Sequence, residues 1–240
     1  MSFGPEDSGV LDFKTEEETI EYLEGLGPQF KYGCHRERNP IQCHSLGRWY
    51  ASFKRNFAES ENIYRQNCFS RRFADSCIKY ASYKLLGVEG VKRNDSQAFE
   101  AFKFGCHVCE DARCCQAAGE LLVEGAVAEK PTVSSIIDYF LRSCNMNLPN
   151  GCFYLGAMYH KQAIEKRENT IDTAGSANDP SYASKAALQK SAVLAWVKAC
   201  EGGHELACRN VARAYRLGEG VEKDEEVAAS YSLEANVSSK

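Results

Sequence analysis

The chain has 240 residues, of which 44% are hydrophobic and 26% charged, with a formal net charge of −4. That size and balance specify a packed fold of one or two domains, or one medium repeat array. No Lys/Arg run stands out and no apolar stretch reaches bilayer length, which argues against a nucleic-acid partner and against a membrane span.

Residues 1–14 (MSFGPEDSGVLDFK) are acidic, lack an apolar core segment and read as a flexible N-terminus. They fit neither a secretory signal nor an Arg-rich presequence. From 15 to 236 the chain reads as one all-helical domain punctuated by twelve cysteines. Ten fall in pairs: Cys34 and Cys43, Cys68 and Cys77, Cys106 and Cys115, Cys144 and Cys152, Cys200 and Cys208. Eight residues separate the members of the first three pairs and seven those of the last two. The second members recur at intervals of 34, 38, 37 and 56 residues. Periods in the thirties belong to stacked helical hairpins.

The segments after each second cysteine align. Four positions on stands a small residue, Gly47, Ala81, Gly119, Gly156 or Ala212. Three and seven positions on stand mostly apolar residues, so one helix face carries all of them. One turn before each first cysteine stands an aromatic: Phe30, Tyr64, Phe102, Phe140 and Trp196. Tyr231 continues that series, with Ala235 in the cysteine's place. Repeats are expected at about 43–76, 77–114, 115–151, 152–207 and 208–236. Each second cysteine then begins the first helix of a repeat, and each first cysteine ends a second helix.

Glycine turns join the helices within a repeat, most clearly GVEGVKRND (87–95) and GEGVEKD (218–224). Gly takes the positive φ that ends a helix, and Asp95 and Asp224 are placed to cap the next one. In GAVAEKPT, Pro131 falls near the first position of the following helix. A polar insert at about 163–182 lengthens the fourth repeat and reads in part as a mobile loop.

In a stack of antiparallel helices, the two cysteines of a pair lie at neighbouring helix ends. A connector of this length brings their Cα atoms to disulfide distance. Zinc needs about four converging ligands from short knuckles, and pairs spread along a solenoid cannot meet. The staple is therefore the preferred reading of all five pairs, and no metal site is assigned. Cys109 and Cys114 are left over within CHVCEDARCC (106–115). A bridge between the two, two free thiols, a redox dithiol and a small zinc site all stay open for them. The CxxC of Cys106 and Cys109 lacks a βαβ context. No Ser-His-Asp order, glycine-rich phosphate loop or HExxH is present, and no catalytic residue is assigned in the leading reading.

LGEGVEKDEEVAASY (217–231) resembles the Sel1-type repeat, a relative of the tetratricopeptide hairpin. LDFKTEEETIEYLE (11–24), FKRNFAESENIYRQNC (53–68) and ADSC (74–77), with the five cysteine pairs, extend the likeness over essentially the whole chain. They resemble the cytochrome c oxidase assembly factor 7 family. The insert and Cys109 depart from that family's pattern. The resemblance implies a right-handed α-solenoid of about five Sel1-like hairpins stapled by disulfides. It implies a scaffold for respiratory complex IV, with complex IV assembly proteins as partners. It further implies residence in the mitochondrial intermembrane space and import through the disulfide relay machinery. A monomer is expected. The family's haem binding transfers poorly, because CQAAGELLVEG (115–125) contains no histidine; His107 and Cys109 are the haem candidates that remain. The competing reading is a thiol–disulfide oxidoreductase using Cys106, Cys109, Cys114 and Cys115, which requires an exposed thiolate of low pKa.

Overall fold

The computed structural model describes residues 15–127, 131–166 and 184–237. Within them the chain forms eleven helices and no strand. In order these are α1 (Glu16–His35), α2 (Pro40–Ser52), α3 (Phe57–Arg71), α4 (Ala74–Leu86), α5 (Asp95–His107) and α6 (Ala112–Val123). Then follow α7 (Val133–Asn145), α8 (Pro149–Glu165), α9 (Lys185–Glu201), α10 (Glu205–Leu217) and α11 (Glu225–Val237). The expectation for residues 1–14 lies outside the described residues, as does that for 167–182 of the insert. The insert starts later than expected, because α8 runs through Glu165 with Ala163 buried in its last turns.

Side-chain caps start most of these helices by satisfying backbone N–H groups that have no partner within the helix. Thr15, Asn39, Asn56, Asp111, Thr132 and Ser184 accept from the first turns of α1, α2, α3, α6, α7 and α9. Asp224 accepts from Glu226 and Val227 at the start of α11. Two expectations shift. The cap of α5 is Asn94, which accepts from the Gln97 N–H, while Asp95 is already helical and pairs with Arg93 at 2.8 Å. Pro131 precedes the cap Thr132, so it lies outside α7. Pro40 and Pro149 are the prolines that open helices, where no backbone donor is needed. Gly87 (φ 62°) and Gly218 (φ 74°) end α4 and α10 in the left-handed region.

Each helix packs on its sequence neighbours, and α3–α5, α4–α6 and α6–α8 also touch. The result is a stacked solenoid of hairpins. At the three glycine positions, the small residue and the aromatic read from the sequence are two halves of one contact. A Cβ added at Gly47 would lie 2.5 Å from the Tyr64 ring, one at Gly119 2.7 Å from Phe140, and one at Gly156 2.5 Å from Trp196. Each aromatic thus seats directly on the backbone of the helix before it, and Tyr64, Phe140 and Trp196 are buried.

Gly119→Leu should therefore overpack this seat and lower stability by about 1–3 kcal/mol. Urea unfolding of the single variants and of the double variant with Phe140→Ala is the check. The two changes should be strongly non-additive, because both act on one contact.

Candidate functional site: the stapled connectors

Five connectors join odd-numbered helices to even-numbered ones, and each is closed by a disulfide. The bonds join Cys34–Cys43, Cys68–Cys77, Cys106–Cys115, Cys144–Cys152 and Cys200–Cys208. Their Cα separations are 4.5, 4.6, 4.5, 4.4 and 4.7 Å. The second cysteine does not begin its helix as expected. It is the fourth residue of α2, α4, α6, α8 or α10, so the repeat boundaries at 43, 77, 115, 152 and 208 fall one turn inside helices.

The backbone explains the two spacings. Each connector holds one residue in the left-handed region: Arg38 (φ 56°), Arg72 (55°), Glu110 (52°), Asn147 (62°) or Gly203 (86°). The next residue, Asn39, Phe73, Asp111, Leu148 or His204, sends its N–H back to the carbonyl just before the first cysteine. That bond closes the finished helix, and the same residue is the N-cap of the next one. The seven-residue connectors have one residue fewer before the left-handed position. Four of the five left-handed residues are not glycine, so this turn carries little signal in the sequence.

The residues just before the paired cysteines also meet. Gly33 faces Gln42, Gly105 faces Cys114, Ser143 faces Gly151, and the Asn67 side chain donates to Ser76 Oγ at 2.8 Å. At three connectors a glycine faces a larger side chain, the second connector has the polar pair, and the fifth has alanine on both sides (Ala199 and Ala207). The signal in the sequence was the small residue before most first cysteines (Gly33, Gly105, Ser143, Ala199). Hydrogen bonds then tie one staple to the one before. Asn67 donates to the Pro40 carbonyl and Ser143 to that of Ala112, each at 2.9 Å, while Lys198 reaches the Cys144 carbonyl at 2.8 Å.

This register corrects the Cys109–Cys114 bridge: both are free thiols. Cys114 is turned inward, fully buried, filling the space that Gly105 leaves beside Cys77. Cys109 is half-buried on the connector. Burial, reinforced by the Asp111 carboxylate, pushes both thiols above the ordinary cysteine range, Cys114 strongly. A thiol held protonated is a poor nucleophile. Cys106 and Cys115, the other two candidates for redox work, are bonded to each other.

Three of the histidines make contacts between helices or cap one. His44 Nδ1 lies 3.0 Å from Ser76 Oγ, extending the Asn67 network. His160 contacts Arg213 at 3.1 Å and the Trp196 ring at 5.4 Å. His204 caps α10, its Nδ1 accepting from the Ala207 N–H at 3.2 Å, and stacks on Phe153 at 4.2 Å. Burial lowers the pKa of all three, and of His107. His107 is exposed at the end of α5, with its ring edge-on to Tyr139. The cavity beside it measures about 280 Å³ and is lined by Glu110, Arg142 and the Cys106 half of a disulfide. Asn145 and Met146 complete its lining, and Cys109, the other haem candidate, is not part of it. Among the described residues, one group offers three converging metal-ligand atoms, that of Cys200, Cys208 and Glu234. Its two sulfurs already bond each other. No described helix is long and apolar enough to cross a membrane.

Comparison with known proteins bears on the whole array. The chain is 32% identical over 228 residues to a Xenopus tropicalis protein named cytochrome c oxidase assembly factor 7, covering 93% of this chain and 90% of that one. A Drosophila melanogaster protein named as a homolog of that factor is 31% identical, with coverage of 92% and 89%. The Homo sapiens protein of the same name is 30% identical over 156 residues, 63% of this chain and 68% of its own length. No protein-family model matches. Among solved structures, a Sel1 repeat protein from Oxalobacter formigenes superposes with a TM-score of 0.69 at 16% identity, covering 92% of this chain and 82% of that one. That likeness shows a shared Sel1-type fold.

Two outcomes follow for the connectors. Alkylation of the unreduced native protein should leave Cys114 unmodified and reach Cys109 slowly, while unfolding without reductant should expose two thiols. Rapid native labelling of Cys114, read by mass spectrometry, would contradict its burial. The second outcome concerns pH. The folded protein holds the His204 pKa below its ordinary value of 6.5, so it binds fewer protons than the unfolded chain. The resulting stability is fully present above pH 6.5 and is lost as pH falls through the folded pKa. His204→Asn keeps a capping side chain and should reduce the slope of stability against pH below 6.5 by up to one proton's share.

Proposed function

The chain belongs to the cytochrome c oxidase assembly factor 7 family, and from that premise we propose that it serves the assembly of respiratory complex IV as a non-catalytic scaffold binding complex IV assembly proteins. The observation that carries this reading is the 32% identity to a relative of that name over 93% of the chain. The form of the array supports it. Stacked hairpins present extended surfaces to partners, and here five covalent staples hold successive hairpins in fixed relation. The thiols speak against the oxidoreductase alternative, since those left free are both held protonated.

We place the protein in the mitochondrial intermembrane space, with import through the disulfide relay. The support is chemical: disulfides form and persist in oxidising compartments and are rare in the cytosol. Removing the protein from cells that make it should lower assembled complex IV several-fold on native gels. Both the wild type and a Cys109→Ser, Cys114→Ala variant should restore it equally. Unchanged complex IV after removal would end the assembly reading. Rescue by the wild type alone, with the variant folded, would favour thiol chemistry.

A further inference from the structure

Among the described residues, no helix stands before α1 as one does before every later odd-numbered helix. Tyr64, Phe140 and Trp196 each stand four residues before a first cysteine, and each seats on a glycine of the even-numbered helix before it. Phe30 stands in the same register before Cys34, but no described helix precedes α1. It is accordingly only partly buried, whereas the other three aromatics are 1%, 0% and 4% exposed. Phe30 lines an open groove of about 330 Å³ with Leu23 and Leu26 of α1, Trp49 of α2, and Phe53 just after it.

Charge around the groove is ordered. Arg48 lines it, and Lys31 sits over the Trp49 and Tyr50 rings at 5.8 and 5.6 Å, near the C-terminal end of α1. Glu16, Glu17 and Glu18 occupy the first turn of α1, at the opposite end. Between them Lys54 lies over the Trp49 and Phe53 rings at 5.3 and 4.7 Å, with its charge paired to Glu24 at 3.4 Å. A helix packed before α1 would run antiparallel to it, as consecutive helices do here. Its N-terminal turn would meet Lys31 and Arg48, and its C-terminal turn would meet the three glutamates. Helices commonly carry acidic residues at the N-terminus and basic ones at the C-terminus, which is the complementary order.

We propose that this groove is a docking site for an amphipathic helix of a partner protein. The helix carries a Gly or Ala at its centre to receive Phe30, acidic residues in its first turn and basic residues in its last. It completes the solenoid as one more even-numbered helix would. The inference concerns this end of the array alone and stands apart from the complex IV reading.

The probe is a synthetic helix of about 18 residues, long enough to hold helical structure, with a central Ala between leucines, Glu first and Lys last. Titrated into the full chain, it is read through the two tryptophan indole N–H resonances. That of Trp49, which donates to the Leu23 carbonyl, should move saturably, and that of buried Trp196 should stay. Leu23→Asp and Arg48→Glu should each weaken binding at least tenfold; Arg48 is exposed, so its variant tests the site even where the first variant unfolds. A peptide with the central Ala replaced by Leu, or with the charge order reversed, should bind at least tenfold more weakly. Equal binding of either control, or a Trp49 resonance that never moves, would overturn the proposal. So would a response confined to a peptide of residues 1–14, which would assign the groove to the chain's own N-terminus. A Trp49 shift that tracks protein concentration without peptide would assign it to a second copy, with the same result.

Discussion

A sulfur–sulfur bond between the end of one helix and the first turn of the next sets the geometry on which the rest of this protein depends. Closing a loop of about ten residues contributes roughly 2.5–3 kcal/mol in the chain-entropy model. Five such loops are comparable to the whole net stability of an ordinary domain, about 5–15 kcal/mol. The directional effect matters as much. With Cα atoms 4.4–4.7 Å apart at every connector, two helices cannot splay at that edge. Each connector then needs only a left-handed residue and a cap to turn the chain.

Everything beside the staples is adjusted to that close approach. The residues preceding the paired cysteines are pressed together, so their sizes must be matched: Gly105 leaves room that Cys114 fills, and Gly151 leaves room for Ser143. Where the pair is polar, as at Asn67 and Ser76, burial requires hydrogen bonds. Asn67 spends both of its amide protons, on the Pro40 carbonyl and on Ser76. One turn further along the same helices, an aromatic on a glycine does comparable work without a covalent bond. The hairpin is thus pinned at one edge by sulfur and along its body by close packing.

That construction supports the proposed scaffold role. Ten of the twelve cysteines are consumed in the frame, and the two remaining thiols are protonated and partly or wholly enclosed. Four of the five histidines cap, stack or bond to neighbours. What the array offers to other molecules is shape, including the groove beside Phe30 that no described helix covers.

The sequence by itself determined the repeat. Cysteines, small residues and aromatics recur at helical spacings, so the hairpins, their glycine turns and the family were all legible before any coordinates. Periodicity reports which residues share a face, but not what that face meets. Only the tertiary structure decided that Gly119 and Phe140 belong to one contact, and that Cys114 is a filler for Gly105 rather than a partner for Cys109. It alone revealed the left-handed Arg38, Arg72 and Glu110, because a tight turn between two packed helices imposes a backbone conformation that these residue types do not announce. Local spacing is written along the chain. Close approach between helices is a property of the packed array, where the size of one side chain is fixed by what stands opposite it.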